Sequence, residues 1–143
     1  MYGRYSQRAR AVMFSAQLEA VNSGSKQVEP EHLLLALLRR SSRTIEEHMD
    51  APDSLNVLQR EMESGVRVAP PLATYVQVPL SGSSNHILSV AAEVAERHSH
   101  ENVGTEHILL AILQEEQCPA SRALRATGMK PFVPNEERPA LDA

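Results

Sequence analysis

Tryptophan is missing from these 143 residues, aromatic side chains make up only 3% of them, and there is one cysteine, Cys118. Each shortage excludes something. A core with so few rings must be built from Leu, Val, Ile, Ala and Met, which favours helices over a β-sandwich. One cysteine excludes an intrachain disulfide and a Cys-based zinc cluster, and it suits a reducing compartment, so a cytoplasmic location is expected. No apolar run approaches the ~20 residues of a membrane span, and the start Met1-Tyr2-Gly3-Arg4-Tyr5-Ser6 lacks the apolar core of a signal peptide. Positive charge is not in excess either: the formal net charge is −4, without the footprint of a general nucleic-acid binder. Neither nucleic acid nor a membrane is an expected partner. No GxxxxGK[ST], GxGxxG or GxSxG motif occurs, so the residues supply no ATPase motor, and neither a cofactor nor an enzymatic activity is expected.

What is present is helical periodicity, and it comes twice. Apolar positions Ala9, Val12, Met13, Ala16, Ala20 and Val21 fall three and four apart, which predicts a helix over 6–22, capped by Ser6 and closed at Gly24. Pro30 suits a first helical turn, and Leu33, Leu34, Leu35, Leu37 and Leu38 predict a buried second helix to Arg40. A short piece over 44–49 and a helix from Asp53 or Ser54 to Gly65 complete the first set. A shift of 75 positions then repeats the pattern. Val28-Glu29-Pro30-Glu31-His32-Leu33-Leu34-Leu35-Ala36 is matched by Val103-Gly104-Thr105-Glu106-His107-Ile108-Leu109-Leu110-Ala111. Helices are predicted over 105–116 and 119–127. The counterpart of the fourth helix is not, because Pro131, Pro134 and Pro139 interrupt it at about 3 kcal/mol per interior proline.

The expected fold is therefore all-α: about seven helices in a duplicated repeat with a pseudo-two-fold axis, the two Leu-rich helices packed near that axis. The division is one domain over 1–129, made of repeat one (5–65), a linker (66–84) and repeat two (85–129). A Pro-rich tail (130–143) is expected to be extended or disordered.

The chemistry concentrates at the two Leu-rich helix starts. Thr105 is expected to cap its helix, and the free N–H groups of a helix start can hold an anion. Glu106 in the first turn adds a carboxylate able to take a guanidinium. Together they make either an ordinary cap or a seat for a ligand carrying both charges. Neither His32 nor His107 begins an HExxH zinc pattern, since Ala36 and Ala111 occupy the fourth position onward, and a structural bond to backbone or a neighbour is the expectation for both. His98 and His100 are expected to be solvated, and Cys118 to be a small, partly buried residue in an inter-helix turn.

These residues, together with Tyr5-Ser6-Gln7-Arg8-Ala9-Arg10-Ala11-Val12 and Gly104-Thr105-Glu106-His107-Ile108-Leu109-Leu110, resemble the N-terminal domain of Clp chaperone ATPases of the ClpC and ClpA type. The resemblance covers about residues 1–129 and does not extend to the AAA-plus modules. It implies two four-helix repeats that bind substrate proteins, adaptor proteins or a Clp ATPase, without metal or cofactor. It also implies phosphoarginine recognition, with Glu31 and Glu106 contacting the guanidinium, and an apolar adaptor groove to which Tyr2 and Leu80 correspond. Glu29-Pro30 in place of Gly104-Thr105 implies that the Glu31 site is weakened. The function expected is peptide or adaptor binding in Clp quality control, by a stand-alone chain or a fragment of an ATPase. The alternative is a structural, self-associating protein, such as a homodimer, that has lost the ligand site.

Overall fold

A computed structural model describes residues 4–49, 53–66 and 77–136. Among them seven helices occur: α1 (Gln7–Asn22), α2 (Pro30–Arg40), α3 (Ser42–Glu46), α4 (Ser54–Val66), α5 (Gly82–Arg97), α6 (Thr105–Gln114) and α7 (Pro119–Ala126). The fold is all-α and duplicated, as the periodicity implies. Both long outer helices use the same two signals 75 positions apart. Ser6 Oγ accepts from the Ala9 N–H at 3.0 Å, and Ser81 Oγ accepts from the Ser84 N–H at 3.1 Å. At the far ends the chain turns through a left-handed residue, Gly24 (φ 73°) after α1 and Ser99 (φ 59°) after α5.

The boundaries that differ from expectation have local causes. Helix α5 opens at Gly82, inside the stretch read as linker, because the Ser81 hydroxyl supplies the cap. Helix α3 starts two residues early, directly after a kink at Ser41 (φ −142°, ψ 45°). Thr44 therefore lies within the helix and is buried. Helix α6 stops at Gln114, since residues 115–118 form the turn that delivers Cys118 as the cap of α7, its sulfur 3.4 Å from the Ser121 N–H.

Helices α2 and α6 are apolar on nearly every face, so the fold buries both centrally, with α1, α4 and α7 against α2 and α5 and α7 against α6. Leu33, Leu34, Leu35, Leu37, Ile108, Leu109, Ile112 and Leu113 are all essentially inaccessible. Each contributes about 1.5–3 kcal/mol of transfer free energy. Truncating one, as in Leu109→Ala, should cost about 2–5 kcal/mol.

Two isolated parallel bridges tie the repeats together: Tyr5 with Val103, and Val28 with Leu80. Under the 75-residue shift each maps onto the other. The bonds match as well. Ser6 N–H reaches Val103 O at 2.9 Å and Val103 N–H reaches Arg4 O at 2.8 Å; Ser81 N–H reaches Val28 O at 3.0 Å and Val28 N–H reaches Pro79 O at 2.8 Å. Each Leu-rich helix start is thus pinned to the opposite repeat. Residues 129–136 follow α7 without helix or strand, Met129 buried in the core and Phe132 packed against it.

Candidate functional site

At both pinned helix starts a histidine, not a hydroxyl, completes the cap. The Glu29 N–H donates to His32 Nδ1 at 2.8 Å, and the Gly104 N–H donates to His107 Nδ1 at 2.8 Å. A ring nitrogen that accepts is unprotonated, so the Nε2 of each carries the hydrogen. It points to Ser23 Oγ (3.1 Å) from His32 and to His100 Nδ1 (2.8 Å) from His107. Burial pushes His32 down to about 4, which holds it in this neutral form. The structural reading of both histidines agrees with these bonds. His98 is exposed, with Nδ1 3.0 Å from Val94 O, whereas His100 is drawn into the cap of α6.

Thr105 is not the cap it was expected to be. Gly104 is the capping residue and Thr105 the first of the helix, because the extended backbone ends one residue earlier. Thr105 is fully buried against α3, its hydroxyl 3.2 Å from that of Thr44, and Arg8 Nη2 donates to Thr44 Oγ1 at 3.3 Å.

Glu106, at 6% exposure, is nearly enclosed. Its Oε1 accepts from the Asn135 N–H at 2.8 Å and lies 3.7 Å from His48 Nε2. The Phe132 ring stacks on His48 with centroids 3.7 Å apart and planes 8° from parallel. The segment after α7 therefore crosses this helix start. Glu47, His48 and Glu106 offer ligand atoms within 4.8 Å of one another, and a small cation would find its donors there.

Glu31 has a different setting. It lines an open cleft of about 480 Å³ with Glu29 and Pro30, Gly82, Ser83 and His86 from the start of α5, and Glu115, Gln117, Cys118 and Pro119 from the α6–α7 turn. Three of these side chains are carboxylates and none is Lys or Arg. His86 Nε2 lies 3.0 Å from Glu115 Oε2. Burial pushes the Glu31 carboxyl above its ordinary value, against its own backbone hydrogen bond and with help from the Glu29 charge. Burial likewise pushes the Cys118 thiol up, and the neighbouring carboxylates Glu31 and Glu115 add to it, so Cys118 is a poor nucleophile. Leu80 sits elsewhere, in a groove of about 320 Å³ with Arg4, Tyr5, Asn85, Leu88, Ser89, Ala92 and Val103. Tyr2 lies outside the described residues. The sequence-derived residues thus fall into three places rather than one.

The sequence profile of the Clp repeat (R) N-terminal domain matches residues 4–130. The chain belongs to that family. Clp N-terminal domains are non-catalytic modules associated with substrate and adaptor binding in the Clp machinery. Among its relatives is the Negative regulator of genetic competence ClpC/MecB of Bacillus subtilis, 28% identical over 130 residues that span 90% of this chain and 16% of that protein. An uncharacterised protein of Mycobacterium bovis is 31% identical over 121 residues, 80% of this chain and 45% of that one. The chain thus spans between about a sixth and under a half of the length of these relatives. In fold it is similar to the Hsp104 N-terminal domain from Candida albicans, with a TM-score of 0.72 and 18% identity over 88% of this chain and 83% of that one. The N-terminal domain of ClpD from Arabidopsis thaliana gives a TM-score of 0.68 at 20% identity, covering 91% of both chains.

Sequence reasoning missed the surroundings of both Clp-repeat carboxylates: His48 and Asn135 against Glu106, with Phe132 on His48 and with Thr44 and Arg8 on the Thr105 side, and Ser83, His86 and Glu115 in the cleft of Glu31. The 75-residue shift held the signal for part of this. It maps Ser83 onto Arg8, and Cys118-Pro119 onto Arg43-Thr44, so the walls of one site announce those of the other. Nothing in the repeat announces the tail.

Proposed function

We propose that this Clp N-domain binds protein substrates or adaptors of a Clp ATPase, recruiting them or competing for them, by gripping arginine side chains at its two Leu-rich helix starts. The observation that carries the reading is the company of Glu106. A carboxylate already accepting a backbone N–H follows Thr105 in the first turn of α6, and the Thr105 hydroxyl meets that of Thr44, to which the Arg8 guanidinium donates. A carboxylate takes a guanidinium, while hydroxyls, helix N–H groups and an arginine take a phosphate. Phosphoarginine carries both. The Glu31 cleft, with three carboxylates and no basic lysine or arginine in its lining, suits an unmodified cation and repels a phosphate. The groove at Leu80 is the apolar face offered to an adaptor.

Calorimetric titration with a phosphoarginine peptide and its unmodified twin tests this. Binding of the phosphorylated peptide that is lost in Glu106→Ala is the expected result. No binding of either peptide, or binding indifferent to both Glu106→Ala and Glu31→Ala, sinks it. One observation favours the alternative of a self-associating protein without a ligand site: the crossing of Glu106 by the segment around Asn135. Sedimentation that shows a dimer and no peptide binding would select that alternative.

A further inference from the structure

The segment that crosses Glu106 is placed where a ligand would sit, and its contacts are of the ligand's kind. The Asn135 N–H gives Glu106 Oε1 a hydrogen bond of 2.8 Å, the contact a guanidinium N–H would make. Phe132 lies flat on His48, roofing the helix start from the α3 side. Beyond it, Glu136 Oε2 accepts from the Glu101 N–H at 2.6 Å, in the loop that leads into α6. Met129 is buried at the near end and Pro134 is buried next to Asn135 in the chain, whereas Val133 is 75% exposed. The segment is anchored at a few points and belongs to no helix or strand, which puts it at the low end of local stability.

We propose that residues 130–136 act as an intramolecular latch on the Glu106 site, competing with the arginine-bearing ligand for the same carboxylate. The inference rests on the ligand reading above and adds its regulation. Latch and ligand exclude each other because the Asn135 N–H already occupies Glu106 Oε1 and the carboxylate is left only 6% exposed. The apparent affinity then equals the intrinsic affinity scaled by the fraction of molecules with the latch open. Anything that holds the tail away, a partner included, tightens ligand binding.

Two variants of the 143-residue chain weaken the latch without touching the Glu106, Arg8 or Thr44 side chains. Asn135→Pro removes the donor N–H, and Phe132→Ala removes the stack. Each should bind a phosphoarginine peptide about tenfold more tightly than the parent chain, which corresponds to a latch about 90% closed. Melting curves show whether each variant is folded, and two independent variants guard against one failing. Since the chain has no Trp, Val133→Trp supplies a reporter at an exposed latch position. Its anisotropy should fall when peptide is added, and should already be low in the Glu106→Ala background. Equal affinity of parent and both latch variants, with peptide bound by all, overturns the latch and leaves the ligand reading intact. Binding by none of them overturns the ligand reading and the latch with it.

Discussion

The two helix starts share one backbone and differ in what they present. At α2 and at α6 a histidine ring accepts the N–H of the capping residue, and a bridge to the other repeat fixes the entering strand. Above that common frame, Glu31 faces an open cleft that holds two more carboxylates, while Glu106 is nearly enclosed, against His48 and the segment after α7. The histidines therefore belong to the fold, and the proposed recognition falls to the glutamates, whose surroundings differ between the two repeats.

The sharpest way to break that division is to remove a capping ring. His107→Ala leaves the Gly104 N–H without its buried acceptor and opens a void, and should cost about 3 kcal/mol in urea unfolding. His107→Gln should restore much of the loss, because glutamine at the third helical position makes the same reciprocal bond. A loss under about 1 kcal/mol for His107→Ala would mean that the cap is not what fixes α6. On the recognition side, Glu106→Ala should weaken phosphoarginine-peptide binding by about 10- to 100-fold, the range of a charge-assisted hydrogen bond, and leave the fold in place. Glu31→Ala should barely change it, and equal effects would erase the proposed difference between the sites.

The capping rings also give the comparison a pH axis. His32 has a folded pKa near 4 against 6.5 for an unperturbed histidine. The unfolded chain binds the extra proton first, so the stability held above about 6.5 drains away as pH falls toward 4. His32→Gln keeps an acceptor that cannot titrate. Its melting temperature should fall less steeply over that interval than the parent's, and parallel curves would refute the assignment.

A smaller effect separates the two helix ends. Gly24 and Ser99 are equivalent left-handed positions, and only glycine is at ease there. Gly24→Ala should destabilise by about 1 kcal/mol, and Ser99→Gly should stabilise by somewhat less because glycine also loosens the unfolded chain.

How much of this was legible follows from what is local. Helix starts and stops at Ser6, Gly24 and Pro30 are decided within a turn by one hydroxyl, one φ angle and one missing N–H, and the near-continuous run of leucines from Leu33 to Leu38 decides burial. Glu31 and Glu106 were legible as carboxylates at helix starts. Their walls were not, since Gly82 and His86, or Thr44 and His48, reach them only through packing between repeats. The roof over Glu106 was least legible of all. Proline spacing forbids a helix after Lys130 but says nothing of where an extended chain lies down.

The smallest expected effect is also the one that most directly separates fold from recognition. Burial holds the Glu31 carboxyl above its ordinary value, and the Glu29 charge pushes the same way. A group whose folded pKa is raised is at its least costly when protonated. Ionised Glu31 therefore subtracts from stability at pH 7, and the deficit shrinks as pH falls through its folded pKa. Glu31→Gln removes that cost while keeping the side chain's shape. The gain is small, because solvent still reaches the cleft. It should vanish as the pH approaches 4. If the variant also loses affinity for an unmodified arginine peptide, a residue that weakens the fold is the one that holds the ligand, as expected of a binding carboxylate. A variant less stable at pH 7 than at pH 4, relative to the parent, would instead make Glu31 a structural member of the α2 start.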